Sequence, residues 1–209
     1  MINILIAGTG GLANELVSWA SGIFNVVGYT THTESIEDDF GLPGIRFSDK
    51  EVTPGLAGTE YIFFAIGSPQ VRKKLYNLYQ NKGFKFPNLI HPTSTIASSA
   101  ILSEGVIIGP QCVISPNVRI GVMSYINFQC GIGHDSNIGD FVQINPGSQL
   151  GGFSKVGDGT LIGSGSTVLQ GVTLGTKVTV ASGSVIFAKV ADNSTVMGNP
   201  AKRMRAFER

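Results

Sequence analysis

Residues 120–138, which read I-G-V-M-S-Y-I-N-F-Q-C-G-I-G-H-D-S-N-I, show the pattern that decides the fold. An aliphatic residue stands at every sixth position, and this spacing continues without a gap from Ile90 to Ile186. A small or β-branched residue usually stands two places earlier, and glycine often follows directly. A period of six fits neither a 3.6-residue helix nor a plain alternating strand, but it fits a short strand followed by a turn. The stretch therefore predicts a parallel β-helix.

If three strand-turn units make one coil, residues 18 apart stack in one column at a spacing of ~4.8 Å. The aliphatic side chain and the small residue two places earlier then both point inward, because strand side chains alternate between faces. We expect the glycines after the aliphatic positions, and Asn127 and Asn145 in the same place, to adopt the left-handed conformation of the turn. A polar contact to substrate is the alternative for Asn127. Cys112 and Cys130, also 18 apart, are expected to be stacked, reduced core thiols.

Composition limits the classes of function. The chain has 15 Lys and Arg against 14 Asp and Glu, and only 14% of its residues are charged. This balance gives no electrostatic footprint for nucleic acid, and a β-helix with so few charges is expected to cover one face in an oligomer. The N-terminal run from Met1 to Gly8 reads as a strand and not as a signal peptide. Since no apolar run is long enough to span a bilayer, we expect a cytoplasmic protein without membrane insertion.

The first eighty-odd residues predict a small α/β domain of Rossmann-like type. Residues 2–7 predict a strand, 8–11 a glycine turn and 12–20 a helix. Further strands are expected at 25–29, 61–66 and 85–90, and a helix from Pro69 to about Lys82. Such alternation favours a mostly parallel sheet. The predicted organisation is therefore a nucleotide-sugar-binding domain over 1–86, a β-helix over 87–190 and a C-terminal tail over 191–209.

The turn from Gly8 to Ala13 has the form G-x-G-x-x-A. Such a turn lets a phosphate approach the backbone N–H groups at a helix N-terminus. The acidic residue of dinucleotide sites is missing after the second strand, where the chain reads G-Y-T-T-H from Gly28. The domain also has about half the size of a dinucleotide fold. A mononucleotide-linked ligand is favoured, and glycines that serve only the tight turn are the alternative.

His134 is the candidate for chemistry on the repeat. Of the three histidines, His32 falls in an expected loop, His91 lies where the β-helix begins, and only His134 lies in its body. Asp135 could hold one imidazole nitrogen protonated and so make the other a better base; an inert surface pair is the alternative. Gly152 lies one coil beyond His134, where its N–H could donate to an oxyanion. Its alternative role is that of an ordinary turn glycine.

Four motifs together carry a family resemblance. They are the turn from Gly8 to Ala13, the segment 65–67 followed by 72–74, the segment 127–135, and the closing 198–204. With them the chain resembles the hexapeptide-repeat acyltransferases, and within these the sugar acetyltransferases with an N-terminal nucleotide-binding domain. Bacillosamine-pathway N-acetyltransferases and sialic acid O-acetyltransferases are of this type. The resemblance implies a left-handed parallel β-helix and a role in glycan biosynthesis, such as that of lipopolysaccharide.

The resemblance also implies a homotrimer with acetyl-CoA as co-substrate in the groove between neighbouring β-helices, and no metal. His134 matches the general base, assisted by Asp135, and the Gly152 amide matches the group that meets the thioester oxygen. The backbone around Ser164 and Ser182 matches the lining of the CoA arm.

For the acceptor, the resemblance implies that the nucleotide contacts Gly10, Gly11 and Gly67, and Asn127 matches a position close to the base. Three positions depart from the family pattern. Gln143 replaces a second active-site histidine, Thr30 and Thr31 replace paired acids, and Leu12 replaces the histidine of the turn. Gln143 is still expected to bind the co-substrate, with an altered contact to the acyl donor or acceptor. The departures leave the acyl-transfer core intact but leave the identity of the acceptor open.

The expected reaction is acetyl transfer from acetyl-CoA to the amine of a UDP- or dTDP-linked 4-amino-6-deoxy sugar, by direct attack with His134 as general base. O-acetylation of a sugar hydroxyl is the alternative with the same residues. A metal-dependent hydratase or a non-catalytic scaffold is a third alternative. A zinc site needs about three ligands, usually histidines, and the repeat offers only His134.

Overall fold

A computed structural model describes residues 1–31 and 41–204, and the chain divides into two compact units, Met1–Pro87 and Asn88–Arg209. The loop expected around His32 lies outside the described residues. Each unit has its own buried core. Of the helices in the described ranges, none has both the length and the apolar character that crossing a membrane requires.

The first unit is built on a parallel four-stranded sheet in the order β3-β2-β1-β4. The strands are β1 (Ile2–Ala7), β2 (Phe24–Thr31), β3 (Ile45–Ser48) and β4 (Ile62–Phe64), and the helices are α1 (Gly11–Ala20), α2 (Pro54–Ala57) and α3 (Pro69–Asn81). The prediction of an α/β domain is confirmed, but β3 and α2 were not predicted, since each is only four residues long. The strand predicted over 85–90 is wrong in extent: Lys85 forms an isolated bridge with Tyr61, and only Leu89 and Ile90 form a strand.

The helix α3 shows why the sequence forms these elements locally. Ser68 accepts a hydrogen bond from the Val71 N–H, and Pro69 occupies the first helical turn, where its missing N–H costs nothing. One face, with Leu75 and Tyr79, is buried against the sheet. This packing fixes α3 beside the carboxyl ends of β1 and β4.

The second unit is a left-handed parallel β-helix, as predicted. Its strands are β5 (Leu89–Ile90), β6 (Thr95–Ile96), β7 (Ile101–Leu102), β8 (Ile107–Ile108), β9 (Val113–Ile114), β10 (Arg119–Ile120), β11 (Tyr125–Ile126), β12 (Gly131–Ile132), β13 (Asn137–Ile138), β14 (Gln143–Ile144), β15 (Gln149–Leu150), β16 (Lys155–Val156), β17 (Leu161–Ile162), β18 (Thr167–Val168), β19 (Thr173–Leu174), β20 (Thr179–Val180), β21 (Val185–Ile186), β22 (Thr195–Met197) and β23 (Lys202–Arg203). They form three sheets, of eight strands (β5 to β23), six strands (β6 to β21) and five strands (β7 to β19). The segment from 191 onward contributes β22, which extends the eight-stranded sheet beside β20, and β23, which pairs with β22.

Strand pairing follows the 18-residue register from β5 to β21; Tyr125, for example, pairs with Gln143, and Gly131 with Gln149. The offset shortens to 16 residues where β20 pairs with β22. The aliphatic column forms one continuous core with the small residues beside it. Interior hydroxyls are satisfied by the next coil, as where the Ser148 Oγ donates to the Gly163 carbonyl at 3.0 Å. This register fixes which side chains share a corner.

The two cysteines lie in this core, as predicted. Both are almost fully buried and unpaired, and the Cys112 Sγ lies 2.9 Å from the Asn127 carbonyl oxygen. The hydrogen bond with Cys112, followed by burial, raises the pKa of the Cys130 thiol. Interior thiols of this kind do not meet a substrate.

The expected position of the left-handed turn residue was wrong. Positive φ occurs three places after the aliphatic residue, as at Asn117 (62°) and Asp135 (57°), and not one place after it, where Asn127 and Asn145 lie. The glycines one place after it are needed for close approach between coils. A Cβ on Gly133 would lie 2.4 Å from the Gly152 nitrogen, and one on Gly163 would lie 2.5 Å from the Ser182 nitrogen.

Candidate active site

His134 lies on the corner that follows β12, with its side chain about half exposed (52%). Its Nδ1 is 2.8 Å from the Asp135 Oδ2. The hydrogen bond with His134, and then the one from Asn117, lowers the pKa of the Asp135 carboxyl. An ionised carboxylate can only accept, so Nδ1 is the donor in this hydrogen bond, and in the neutral form of the ring Nε2 is then the nitrogen with the lone pair.

Gly152 lies against the imidazole, as the 18-residue register predicts. A Cβ at this position would come within 2.7 Å of Nε2 and 2.8 Å of Cε1 of His134, so only glycine leaves the ring where it is. Gly152 does not have the positive φ of a turn glycine. Position 152 is also the only glycine among the residues two places after the aliphatic column; Ser164, Thr176 and Ser182 are examples of side chains elsewhere. Glycine is therefore needed at 152 to leave space for the imidazole, and not to form the turn.

Phe153 completes the surroundings of the imidazole and was not predicted. Its ring meets that of His134 edge to face, with centroids 5.0 Å apart. The Phe153 N–H donates to the His134 carbonyl at 2.8 Å, which ties the two coils together at this point. Its position, 18 residues after Asp135, could have been found in the same way as that of Gly152.

The other predicted site residues of the β-helix lie on a different corner. Asn127 and Gln143 are buried at the ends of strands of the eight-stranded sheet, whereas His134 follows a strand of the six-stranded one. The Gln143 amide donates to the Asn145 Oδ1 at 3.0 Å, and the Asn127 Oδ1 accepts from the Phe128 N–H at 2.7 Å. One chain thus brings together His134, Asp135 and Gly152, but not these two residues.

Ser164 and Ser182 share the corner of Asn127 and are exposed. They are 18 residues apart, and the Ser164 carbonyl accepts from the Gly183 N–H at 2.8 Å. Their backbone forms an open ridge along two successive coils. An extended ligand that lies along this ridge meets backbone peptide groups over its whole length.

The first unit contains a hollow of about 450 Å³ at the carboxyl ends of its strands. In parallel sheets this edge is where ligands bind. The lining is apolar on the side of α3 and polar at the strand ends, and consists of Gly8, Thr9, Thr30, Thr31, Asp49, Ile66, Val71, Lys74, Leu75 and Leu78. Gly8 has φ of 108°, and a Cβ there would lie 3.0 Å from the Ala65 carbonyl oxygen, so the turn needs glycine.

The glycines predicted to contact the acceptor lie next to this hollow in the chain. Gly10 is the N-cap of α1 and Gly11 its first residue, while Gly67 follows Ile66. A Cβ on Gly10 or Gly67 would meet no atom within 4 Å, so both have free space beside them. Their role as acceptor contacts remains a prediction.

A buried hydrogen-bond chain lies at the polar side of the hollow. The Tyr79 hydroxyl is 2.6 Å from the Thr30 Oγ1 and donates to the Asp49 carboxylate. Burial raises the pKa of Tyr79, so its hydroxyl stays protonated. Asp49 directly follows β3, which pairs with β2; the hollow thus has a carboxylate although Thr30 and Thr31 replace the paired acids. Sequence reasoning missed Asp49 because it missed β3.

The acidic, histidine and cysteine side chains in the described part of the chain do not form the grouping that a metal ion needs. Across residues 1–31 and 41–204, no group of three or more His, Cys, Asp or Glu side chains is arranged to hold a metal ion.

Comparison with known proteins shows what this chain is similar to. The family described as "Bacterial transferase hexapeptide (six repeats)" matches residues 135–170 and 153–188. A mutant of perosamine N-acetyltransferase from Caulobacter crescentus, in complex with CoA and GDP-perosamine, is 27% identical with a TM-score of 0.88, and 97% of each chain is covered.

Two further solved structures are similar over almost the whole chain. The acetyltransferase domain of PglB from Neisseria gonorrhoeae, in complex with acetyl coenzyme A, is 27% identical with a TM-score of 0.75, covering 97% of this chain and 98% of that one. WeeI from Acinetobacter baumannii, at 21% identity and a TM-score of 0.83 over 98% and 100%, shares the fold. The resemblance predicted from the sequence is therefore confirmed: the chain carries hexapeptide repeats and is similar to sugar acetyltransferases over almost its whole length.

Proposed function

We propose that the protein is an acetyl-CoA-dependent N-acetyltransferase that acts on the amine of a nucleotide-linked 4-amino-6-deoxy sugar. The observation that carries this proposal is the imidazole of His134, oriented by Asp135 and left accessible by Gly152. The chain also resembles, over 97% of its length, an enzyme solved with CoA and an amino-sugar nucleotide. Acyl transfer to such an amine needs a base at the point of attack, and this corner provides one.

The reaction follows from the position of each group. Asp135 holds the Nδ1 proton of His134, so Nε2 accepts the proton that the amine loses as its C–N bond to the thioester carbonyl forms. The Gly152 N–H donates to the carbonyl oxygen while it carries negative charge. When the C–S bond breaks, the imidazolium returns the proton to the CoA thiolate. General-base assistance of this kind is typically worth about 10²–10⁴-fold.

Direct attack in a ternary complex is favoured over a covalent acyl-enzyme. Cys112 and Cys130 are buried in the core of the β-helix and cannot reach a thioester in solution. The amine itself is therefore the nucleophile that attacks the thioester, and CoA is the leaving group.

We also propose that the complete site forms between two copies in a homotrimer. The base lies on the corner after the six-stranded sheet, whereas Asn127, Ser164 and Ser182 lie along the corner after the eight-stranded sheet, and Gln143 begins a strand of that sheet. An acetyl-CoA molecule in the groove between two β-helices would contact the serine ridge of one copy and the His134 corner of the next. Cyclic symmetry repeats this contact at each interface.

The hollow of the first unit is the proposed site of the acceptor's nucleotide. Its apolar floor suits a base ring, and Asp49 can accept from base N–H groups because a carboxylate has about four acceptor positions. Gly10 and Gly67 leave space for the phosphates, and Gly11 begins α1 directly after Gly10. UDP and dTDP were expected from the family resemblance; GDP belongs in the same comparison because the Caulobacter enzyme was solved with GDP-perosamine. We place the reaction in the cytoplasm, where acetyl-CoA and nucleotide sugars are made.

The proposal is tested by turnover of purified protein with acetyl-CoA and GDP-, UDP- and dTDP-linked 4-amino-6-deoxy sugars, with released CoA as the readout. The matching 4-hydroxy sugars separate N- from O-acetylation. We expect His134→Ala to lower kcat at least about 100-fold while its circular dichroism and melting temperature stay those of the wild type. Unchanged turnover in this variant would remove His134 from the mechanism. Absence of acetyl transfer to every acceptor would contradict the proposed activity.

A further inference from the structure

Asn117, one coil before Asp135 on the same corner, contacts the acid that orients the base. Its Nδ2 donates to the Asp135 Oδ1 at 3.0 Å, while the Oδ2 of the same carboxylate is 2.8 Å from the His134 Nδ1. The two oxygens are thus held from two directions. Two such bonds fix the rotation of the carboxylate plane, which one bond alone would leave free.

The position of Asn117 is itself fixed by the backbone of the corner. Its N–H donates to the Ser99 Oγ at 3.0 Å, and the Asp135 N–H donates to the Pro116 carbonyl at 3.0 Å. Ser99, Asn117 and Asp135 form one column with the 18-residue spacing. The amide is therefore presented to Asp135 by two coils that are bonded to each other at this corner.

A backbone role does not account for the asparagine. Asn117 has positive φ, which asparagine tolerates well, but the same conformation is adopted by Met123, Phe141 and Lys177 at equivalent corners. The turn thus accepts side chains of very different kinds. What asparagine adds is the donor to Asp135.

We infer that Asn117 is a positioning residue that acts through Asp135 to hold the His134 imidazole with its Nδ1 protonated. This inference rests on the proposed function for its effect on rate. Asp135 is 35% exposed at its side chain, so without Asn117 water competes for its Oδ1 and the carboxylate can turn away from the ring. The base would then be correctly oriented for only part of the time.

The test compares Asn117→Gly with the wild type. Glycine removes the amide and suits the positive φ, so no strain is added. We expect kcat to fall about fivefold, as for one hydrogen bond of ordinary net strength, with both KM values unchanged. In the Asp135→Gly background the same change should cause no further fall, since a positioning residue has no effect once its partner is absent.

Gln111→Gly is the matched control. Gln111 has φ of 59° at the preceding corner, and its Oε1 accepts from the Gln129 amide at 3.0 Å. This variant therefore loses a side-chain hydrogen bond between two coils that involves neither Asp135 nor His134, and kcat should stay at the wild-type value. An equal fall in both glycine variants, or a full additional fall in the Asp135→Gly background, would show a structural role for Asn117 and overturn the inference.

A readout independent of turnover separates this inference from the proposed function. With three histidines in the chain, the ring nitrogens of His134 can be followed by ¹⁵N NMR, assigned through His134→Ala. We expect the Nδ1–H tautomer to dominate in the wild type and the Nε2–H tautomer to gain population in Asn117→Gly. Unchanged tautomers would overturn the positioning role even if the enzyme is active. A changed tautomer in a protein without acetyl transfer would support the positioning and reject the proposed function.

Discussion

At the scale of single residues, the candidate site depends on positions that are defined by their neighbours one coil away. His134, Asp135 and Gly152 could be chosen from the sequence because the 18-residue register is unbroken and the repeat has only one histidine in its body. Asn117 and Phe153 lie in the same columns but were not chosen. The reason is that the left-handed residue was expected directly after the aliphatic position, so the side chains of the true corner were not compared between coils.

Gly152→Ala should lower kcat by about 100-fold or more while the fold survives. The new Cβ would come within 2.7 Å of the His134 Nε2, so the ring must move off the line of attack, and general-base help of this size is then lost. The backbone at 152 does not have positive φ, so alanine adds no conformational strain. Kinetic assays with melting temperatures check this.

Gln170→Ala is the control for that change, because residue 170 occupies the same column one coil further on. It should leave both kcat and the melting temperature at wild-type values. A Gly152→Ala variant with full activity would mean that the imidazole tolerates displacement, and that the space beside it has no function.

At the scale of elements, the β-helix was predictable and the details of the first unit were not. Seventeen short strands repeat one pattern, so the position of each strand can be predicted from those of the strands before and after it. In the first unit each element occurs once. The four-residue β3 has no such support, and with it Asp49 was lost from the predicted nucleotide site.

The two kinds of glycine at the corners predict different costs of substitution. Gly171 has φ of 73° but free space around a Cβ, so Gly171→Ala should cost only strain, about 1–2 kcal/mol. A Cβ on Gly157 would lie 2.5 Å from the Gly175 carbonyl carbon. Since two coils must then separate, Gly157→Ala should lower stability more, by about 3 kcal/mol, as in an overpacked core.

Urea unfolding of the β-helix, followed by circular dichroism, compares the two variants directly. The reverse order of midpoints would mean that backbone strain, and not close approach between coils, selects glycine after the aliphatic column.

At the scale of the whole molecule, one chain holds the base and the proposed CoA ridge on two different corners. The low charge of the repeat and the family resemblance both predict an oligomer. The assignment of strands to sheets supports this prediction, because it separates the base from the proposed ridge within one chain. The corner on which a residue lies is known only after the strands have been counted from the first coil, because the three sheets alternate along the chain.

The protein should therefore elute with about three times its chain mass of 22.0 kDa in light-scattering chromatography. His134→Ala and Ser182→Trp homotrimers should each be inactive, the second because the indole blocks the ridge. Trimers that mix the two variants should regain about one third of wild-type turnover, because one of their three interfaces pairs an intact base with an intact ridge. Mixed trimers without activity would place the whole site within one chain.

The close stacking of equivalent residues has a consequence for how the gene can change. A duplication or loss of eighteen codons inside the repeat adds or removes one full coil and leaves every remaining aliphatic residue facing inward. An in-frame change of another length turns the downstream corners relative to those before it and separates the base from its supporting side chains. Variation in length among descendants of this gene should therefore occur in whole coils, or in the segments outside the repeat.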